Sequence, residues 1–232
     1  MITSKMFRPT VLFNRAKQIY RTEGLTPLLR QVLQFLKPFQ YRTHYLYETN
    51  IPEAFKGKTE AECMPRIQNF TFRIVATNEE ADELEAEGHE FRSQISNSRQ
   101  NLDKGAVAFC TFIDKELAHI GWLAMTEEAK KMFDILPYKI DFAKNEVHTG
   151  GVWTNPKYRR LRLETHCSFK RLQFLNERHI VTGKYAIAKS NVAPQGGPVR
   201  FGDRTYAEGR YLRVLWWKSW KEKLLPPERT TQ

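Results

Sequence analysis

The stretch that most constrains the fold is residues 146–178, in which an apolar run, a proline break and an amphipathic segment follow one another without a gap. Val147 to Trp153 is short, apolar and rich in β-branched residues, which predicts a strand. Asn155 and Pro156 end it, because proline has no N–H for a strand ladder and Asn-Pro favours a turn. Beyond this break a helix of about four turns is predicted, since apolar residues recur at helical spacing: Cys167, Leu172 and Leu175.

Three arginines, Arg159, Arg160 and Arg162, lie between this strand and the helix. A helix N-terminus offers free backbone N–H groups and a partial positive charge, so a basic turn at that point is suited to binding phosphate. The same pattern also suits an ordinary strand-to-helix connection with a solvated basic turn. The spacing by itself leaves both interpretations open.

The segment Gly151-Val-Trp-Thr-Asn-Pro-Lys-Tyr-Arg-Arg resembles the end of the fourth strand and the coenzyme-A loop of the GNAT superfamily of N-acyltransferases. There a Val-x-x-x-Pro-x-Tyr-Arg run leads into a (Gln/Arg)-x-x-Gly-x-(Gly/Ala) turn that binds the pyrophosphate. Arg159 takes the Gln/Arg position, but the two small positions fall on Arg162 and Glu164. Glycine allows close backbone approach to a ligand, and Glu164 places a negative charge near the expected diphosphate.

The resemblance covers about residues 70–220 and rests on the order of the elements together with this half-matched motif. It implies an α+β fold in three α/β layers, with a GNAT-like mixed, mostly antiparallel central sheet flanked by helices. It also implies a set of coenzyme-A-binding residues, namely Val152, Trp153, Tyr158, Arg159, Arg160, Leu161, Arg162, Leu163 and Asn191.

Within that set, Val152 and Trp153 would offer backbone N–H groups to the thioester carbonyl. Gly150-Gly151 is where the strand is expected to kink, since glycine in a strand often marks a bulge. Asn191 matches an asparagine that follows the fifth strand in the family. The tyrosine that family members often carry on the next helix, as acid to the departing thiolate, has no match.

A base is needed to accept the proton of the amine. His148 is the first choice and Glu146 the second, since the two share a face by alternation and histidine titrates near neutrality; His119 is a further candidate. An ordinary polar residue at a strand end explains either of the first two equally well. Cys167 is expected to be a small buried hydrophobic residue. It is not expected to be a nucleophile, because that would need an activating histidine in contact with it, and the adjacent His166 points elsewhere on a helix.

The chain of 232 residues carries a net charge of +11 that is unevenly distributed. Residues 1–46 have a net charge of +7 and residues 157–223 have +11, whereas residues 61–156 have −6. Such basic regions suit a polyanionic ligand, an anionic membrane surface or an acidic protein such as acyl-carrier protein. Nucleic acid is not expected, since the sequence holds no recognisable binding motif. The three cysteines have no metal-ligand spacing, so no metal site and a reducing compartment are expected.

The predicted organisation has three parts. Residues 1–60 form a basic helical N-terminal extension and linker, in which a helix begins at Thr26-Pro27 and packs on the domain, on a second subunit or on a membrane surface. Residues 61–225 form the GNAT-like domain, and residues 226–232 form a tail. Within the domain the pattern predicts strands and hairpins over residues 70–76, 106–113, 117–125, 180–188 and 205–220, the last one turning around Glu208-Gly209 with Trp216, Trp217 and Trp220 packed on core and edge.

Together these observations predict an N-acyltransferase that moves an acyl group from acetyl-CoA or another acyl-CoA to an undefined amine by direct attack in a ternary complex. Two alternatives remain: a membrane-associated or acyl-carrier-protein-dependent acyltransferase, and a GNAT-fold binding protein that has lost catalysis. Neither a secretory signal pattern nor an apolar run of about 18 residues is present. A cytoplasmic location is therefore expected, with peripheral attachment to the inner membrane face as an alternative.

Overall fold

The strands that the computed structural model describes form one sheet. The described residues are 39–191 and 201–226, with the single positions 17, 20, 25 and 26. Along the sheet the order is β2-β3-β4-β5-β6-β1-β7-β8, and only β5 and β6 run parallel. The strand bounds are β1 Phe39–Asn50, β2 Thr71–Val75, β3 Ala106–Ile113, β4 Glu116–Ala124, β5 Glu146–Thr154, β6 Thr182–Ala188, β7 Arg204–Val214 and β8 Trp217–Leu224.

The helices follow capping signals that the sequence carries. Thr77 accepts a hydrogen bond from the backbone N–H of Glu80, and Thr126 accepts one from Ala129, so each caps a helix N-terminus. The helix after Gly88 begins only at Ser98, directly after Asn97, which adopts a left-handed conformation. The helix bounds are α1 Ile51–Phe55, α2 Glu60–Cys63, α3 Asn78–Ala86, α4 Ser98–Asp103, α5 Glu127–Phe133 and α6 Leu163–Glu177.

Two helical layers cover the sheet, one on each face. Alternation along β3 and β4 sends Ala108 and Trp122 towards α3, α4 and α5, and sends Phe109 and Leu123 towards α1, α2 and α6. We call these sides the α5 face and the α6 face. Both strands are buried along almost their whole length, so the three-layer, mostly antiparallel architecture that was predicted is confirmed. Within the described part, no helix has both the length and the apolar composition that a membrane span requires.

Strand β1 belongs to the sheet, although the boundary predicted at residue 60 put it in the N-terminal extension. It lies inside the sheet, pairing with β6 over His44–Asn50 and with β7 over Phe39–Glu48. Helix α1, in the predicted linker, packs its Ile51 into the core on the α6 face. Residues 39–60 therefore belong to the sheet domain, because strand pairing joins segments that are distant in sequence. The helix predicted to begin at Thr26 lies almost entirely outside the described residues, as does the tail after Pro226.

The last hairpin turns at a different place from the one predicted. Strand β7 runs through Gly209 to Val214, and the chain turns at Leu215-Trp216 before β8. Gly209 is required for another reason: a Cβ at that position would run into the ring of Trp220. The glycine therefore allows close packing of a cross-strand tryptophan and does not make a turn.

Candidate active site

A cleft passes through the sheet where β5 and β6 separate. The two strands pair only over Glu146–His148 and Thr182–Lys184, and then diverge. The gap encloses a cavity of about 800 Å³. Its wall on the α6 face includes Ser168, Arg171, Tyr185 and Asp203, and its wall on the α5 face includes His44, Phe133, Asp134 and His148. A bound molecule could therefore be reached from both faces of the sheet.

A β-bulge on β5 forms one edge of this cleft. Trp153 lies opposite Ile120 and Gly150 lies opposite Trp122, so Gly151 and Val152 together face only one residue of β4. Gly151 has φ +56°, and a Cβ there would lie 2.8 Å from Cδ1 of Trp122. The kink predicted at Gly150-Gly151 thus coincides with this bulge, which re-aims the backbone of β5 beside the cavity.

The imidazole of His148 lies almost fully buried in the cleft wall. Its Nδ1 is 2.8 Å from the hydroxyl oxygen of Tyr138 and 3.2 Å from the carbonyl oxygen of Lys184. The carbonyl can only accept, and Tyr138 donates its own hydrogen to Asp134 at 2.9 Å. Nδ1 must therefore carry the hydrogen, and Nε2 holds the lone pair. Nε2 has no hydrogen-bond partner among the described residues, and Oδ2 of Asp134 lies 3.6 Å away.

Burial lowers the pKa of His148 to about 4, and the nearby charge of Asp134 only partly offsets this effect. The ring is therefore neutral at pH 7 and can accept a proton. Phe133 stacks on it with 5.1 Å between ring centroids, and Gly150 leaves room for it, since a Cβ there would lie 2.8 Å from Nε2.

Glu146 shares the face of His148, as the alternation predicted, but it does not line the cleft. Its carboxylate accepts hydrogen bonds from Nζ of Lys184 at 2.8 and 2.7 Å and from the backbone N–H of Asp141 at 2.7 Å. These contacts give it a structural role at the start of β5. The structure therefore brings only the first of the two predicted base candidates to the cavity.

His119, the third candidate, is fully buried beneath α6. Its Nδ1 is 2.8 Å from Thr154 Oγ1, and its Nε2 is 2.9 Å from a carboxylate oxygen of Glu164. Burial alone would lower the pKa of His119, but contact with Cys167 and then with Glu164 outweighs burial and raises the pKa to about 9. His119 is thus protonated at neutral pH and is not suited to act as a base.

Glu164, which the sequence placed near the expected diphosphate, lines the cleft with its side chain 47% exposed, and its carboxylate bridges the buried His119 and Arg171. Its other carboxylate oxygen accepts from Arg171 at 3.0 Å and from Ser168 at 2.9 Å. Burial by itself would raise the pKa of Glu164, but the charge of Arg171 and the contact with His119 hold it below its usual range. The carboxylate is therefore neutralised internally. His119, Glu164 and Cys167 could place ligand atoms around a cation, but the adjacent guanidinium opposes one.

The basic turn has a left-handed backbone at one of the two positions where the family has a small residue. Arg162, that position, has φ +64°, and Arg160 has φ +67°, whereas the other position, Glu164, lies in α6. Arg162 donates to the carbonyl of Glu62, and the carbonyl of Leu161 accepts from Arg66 N–H at 2.8 Å. These contacts with the chain after α2 hold the turn in a conformation that an arginine rarely adopts.

The remaining predicted coenzyme-A residues divide into anchors and exposed groups. Tyr158 and Leu163 are buried in a small cluster, and Tyr158 donates to Glu116 at 2.7 Å. Val152 and Asn191 line the cleft, whereas Trp153 packs partly buried against the core. Arg159 and Arg160 are exposed beside the start of α6. The turn therefore presents two exposed arginines, Arg159 and Arg160, next to the buried side chains of Tyr158 and Leu163.

Sequence reasoning missed several cleft residues that come from other parts of the chain. Asp203 accepts hydrogen bonds from Thr49 and, at 2.7 Å, from the hydroxyl of Tyr185. Burial raises the pKa of Tyr185 well above its usual range, so it keeps its proton. Tyr185 and Asp203 thus form a hydrogen-bonded pair in the α6-face wall of the cleft. The apolar character of residues 180–188 concealed Tyr185, and no local signal linked it to residues 49 and 203.

Comparison with known proteins rests on structure alone, since no family model and no curated protein matches the chain. A GCN5-related glucosamine N-acetyltransferase region of a fungal multi-domain GH3 β-N-acetylglucosaminidase superposes with a TM-score of 0.50 at 12% identity, covering 79% of this chain and 22% of that one. A tandem GNAT protein from the clavulanic acid biosynthesis pathway gives 0.47 at 13% identity, with 82% and 55% covered. A GNAT-family acetyltransferase from Colwellia psychrerythraea gives 0.45 at 10% identity, with 93% and 75% covered.

The chain therefore has the fold of the GNAT superfamily, and the fold predicted from the half-matched motif is confirmed. It spans about a fifth of the length of the fungal enzyme and about half of the tandem protein. An acyltransferase class is consistent with this fold, and the chemistry of this chain has to be argued from its own cleft.

Proposed function

We propose that this protein is an N-acyltransferase that moves an acyl group, acetyl in the first instance, from coenzyme A to an amine by direct attack in a ternary complex. The observation that carries the proposal is the neutral imidazole of His148. Its Nε2 has no hydrogen-bond partner among the described residues, and His148 lines a cleft that crosses the sheet beside the β5 bulge. This is the arrangement that a base needs in order to receive a proton from an amine at a thioester.

The acyl donor would occupy the α6-face side of the cleft. The exposed Arg159 and Arg160 and the N-terminus of α6 supply positive charge and donors for its pyrophosphate. Asn191 lies at the cleft on the way towards the bulge, in reach of the arm of the coenzyme. The backbone N–H groups of Val152 and Trp153 would then hold the thioester carbonyl, since the bulge turns this part of β5 towards the cavity.

The acceptor would enter from the α5 face. Asp134 and Nε2 of His148 lie 3.6 Å apart there, with Phe133 beside them. Most free amines are protonated at neutral pH, so a carboxylate at this entrance would attract the acceptor. The same carboxylate would stabilise the imidazolium that forms when His148 takes the proton.

In the transfer step the amine nitrogen attacks the thioester carbon, so that a C–N bond forms and the C–S bond breaks. The proton released by the amine passes to Nε2 of His148. The imidazolium of His148 then passes this proton through solvent to the departing thiolate. Coenzyme A leaves as the free thiol, and His148 returns to its neutral state.

The first experiment is thermal unfolding of the protein with excess coenzyme A or acetyl-CoA at two salt concentrations. A ligand that binds only the folded state raises the midpoint, by an amount that depends on its concentration relative to Kd. Arg160→Glu should remove most of this rise, because it reverses an exposed charge at the turn. Arg73→Glu, an exposed arginine on β2 at the far end of the sheet, is the matched control and should keep the rise.

The second experiment measures thiol release from acetyl-CoA with a panel of amines. Coenzyme-A binding without turnover of any amine would favour the alternative of a binding protein that has lost catalysis. A midpoint that does not move with either ligand would overturn the coenzyme-A donor. Acyl-carrier protein would then be tested as donor, since the basic regions of the chain would attract its acidic surface in a salt-dependent way.

A further inference from the structure

Large apolar side chains are exposed together at one end of the sheet. The register of β1, β7 and β8 puts Phe39, Val214 and Trp217 side by side on one face, and they are 57%, 39% and 54% exposed. The turn adds Leu215 and Trp216, which are 54% and 85% exposed. With Tyr41, two residues along β1, these side chains form what we call the tip patch: Phe39, Tyr41, Val214, Leu215, Trp216 and Trp217.

The position of these tryptophans contradicts their predicted place in core and edge packing. Only Trp220 packs inward, against a core cluster beside Gly209. A folded domain seldom leaves a contiguous aromatic surface of this kind open to water without a use for it. Tryptophan and tyrosine have an apolar ring with a polar edge, so they suit the boundary between water and lipid.

Basic residues surround the tip patch. Arg213 and Lys218 lie opposite each other directly beside it. Along the edge strand β8, Lys221 and Lys223 follow, against the single acidic residue Glu222. Lysine and arginine at this position would contact lipid phosphates while the aromatic rings enter the headgroup region.

The N-terminal part of the chain joins the sheet at the same place. Residues 1–38 contain seven Lys or Arg and one acidic residue, and they lead directly into Phe39 of the tip patch. Tyr20 and Leu25 are each 56% exposed, so these apolar side chains are not covered by the sheet domain. The sequence before Phe39 is therefore basic, like the residues Arg213 and Lys218 beside the tip patch, and an anionic surface would attract both.

We propose that the tip patch is a docking surface for an anionic lipid bilayer, with Trp216 and Trp217 inserted among the headgroups and Arg213 and Lys218 beside the lipid phosphates. This inference does not depend on the acyltransferase activity. The cleft between β5 and β6 is separated from the β7–β8 turn by strand β1, so variants of the tip patch leave the cavity lining unchanged.

The test is co-sedimentation of the full chain with vesicles of phosphatidylcholine and phosphatidylglycerol in equal parts, and with vesicles of phosphatidylcholine alone. Binding is expected only to the anionic vesicles, weakening as salt is raised, with a blue shift of tryptophan fluorescence. Trp216→Ala should weaken binding by about tenfold, the loss that withdrawal of one large aromatic ring from the interface would produce. Lys218→Glu should weaken binding to the anionic vesicles more at low salt than at high salt.

Ile74→Ser is the matched control, since Ile74 is exposed on β2, at the other end of the sheet. It should bind vesicles as the parent protein does. Trp216 is so exposed that its replacement should not change the unfolding midpoint, which separates a docking defect from misfolding. The proposal is overturned if anionic vesicles are not bound, if neutral vesicles are bound equally well, or if Trp216→Ala binds like the parent. It is also overturned if duplex DNA or an acidic protein binds at the tip patch and vesicles do not.

Discussion

The hydroxyl of Tyr138 lies 2.8 Å from Nδ1 of His148, on a segment that the strand pattern of the sequence does not connect with β5. The same hydroxyl donates to Asp134 at 2.9 Å, so it accepts from the imidazole. This contact selects the tautomer with the hydrogen on Nδ1, and it leaves the lone pair on Nε2. Tyr138 is therefore a positioning residue for the proposed base.

Replacing Tyr138 by phenylalanine tests this relationship. The variant removes one buried hydrogen bond to the ring and one to Asp134, so kcat should fall by about tenfold while KM for acetyl-CoA changes little. Nitrogen NMR of the His148 ring should show a mixture of tautomers in place of one. Tyr41→Phe, at an exposed site, should behave as the parent protein. An unchanged tautomer would contradict the assigned role.

His148 also makes stability depend on pH. Its pKa in the folded protein is about 4 and its ordinary value is 6.5, so the unfolded chain binds more protons between these values. The free energy of unfolding should therefore rise with pH across this window, by up to about 3 kcal/mol from this residue, and this stability is lost as pH falls through 4. Denaturant titrations at several pH values measure the slope. His148→Gln should flatten it, and a variant that keeps the whole slope would refute the assignment.

The left-handed conformation of Arg162 predicts a difference between two substitutions. Arg162→Gly and Arg162→Ala both lose the guanidinium and its bond to the carbonyl of Glu62, but only alanine keeps a Cβ at φ +64°. The glycine variant should be more stable than the alanine variant by about 1 kcal/mol, as measured by urea unfolding. It should also bind coenzyme A at least as tightly, since glycine lets a ligand approach the backbone. Equal stability of the two variants would mean that the turn relaxes.

Glu164→Gln tests the buried network beneath α6. In the parent protein the raised pKa of His119 adds stability that is complete below pH 6.5 and is lost as pH rises through about 9. Without the carboxylate, His119 loses an ion-pair partner and its pKa should fall, which NMR titration of the ring detects. Arg171 is left buried without its carboxylate, so the free energy of unfolding at pH 7 should decrease. Glu177→Gln, exposed on the same helix, should leave both quantities unchanged.

Local patterns predicted many of the elements well. The hairpin of β3 and β4 turns at Asp114-Lys115 as its polar pair predicted, and β5, the Asn155-Pro156 break and α6 follow one another as expected. The signals in these segments come from neighbours in the chain: a proline, a turn pair, a periodicity. Such signals act over a few residues, and tertiary packing agreed with them here.

The candidate site could be predicted only in part. Val152 and Asn191 were predicted from the resemblance and His148 from its strand position and its titration near neutrality, and all three line the cleft. Glu146 was chosen because it shares a face with His148, but its carboxylate is bound by Lys184, which lies on β6 opposite His148. Alternation reports which face of a strand a side chain takes, and it does not report which charged group lies beside it.

What the sequence by itself determined about this protein is the β3–β4 hairpin, the succession of β5 and α6, the bulge at Gly150-Gly151 and the basic turn before α6, because each follows from the conformational limits of a few adjacent residues. Only the tertiary structure decided that β1 lies between β6 and β7, that Glu164 binds Arg171, and that Tyr138 and Asp134 orient His148. These outcomes depend on which distant segments come together. Strand pairing and burial make that choice through the summed packing of the whole domain, which no local pattern records.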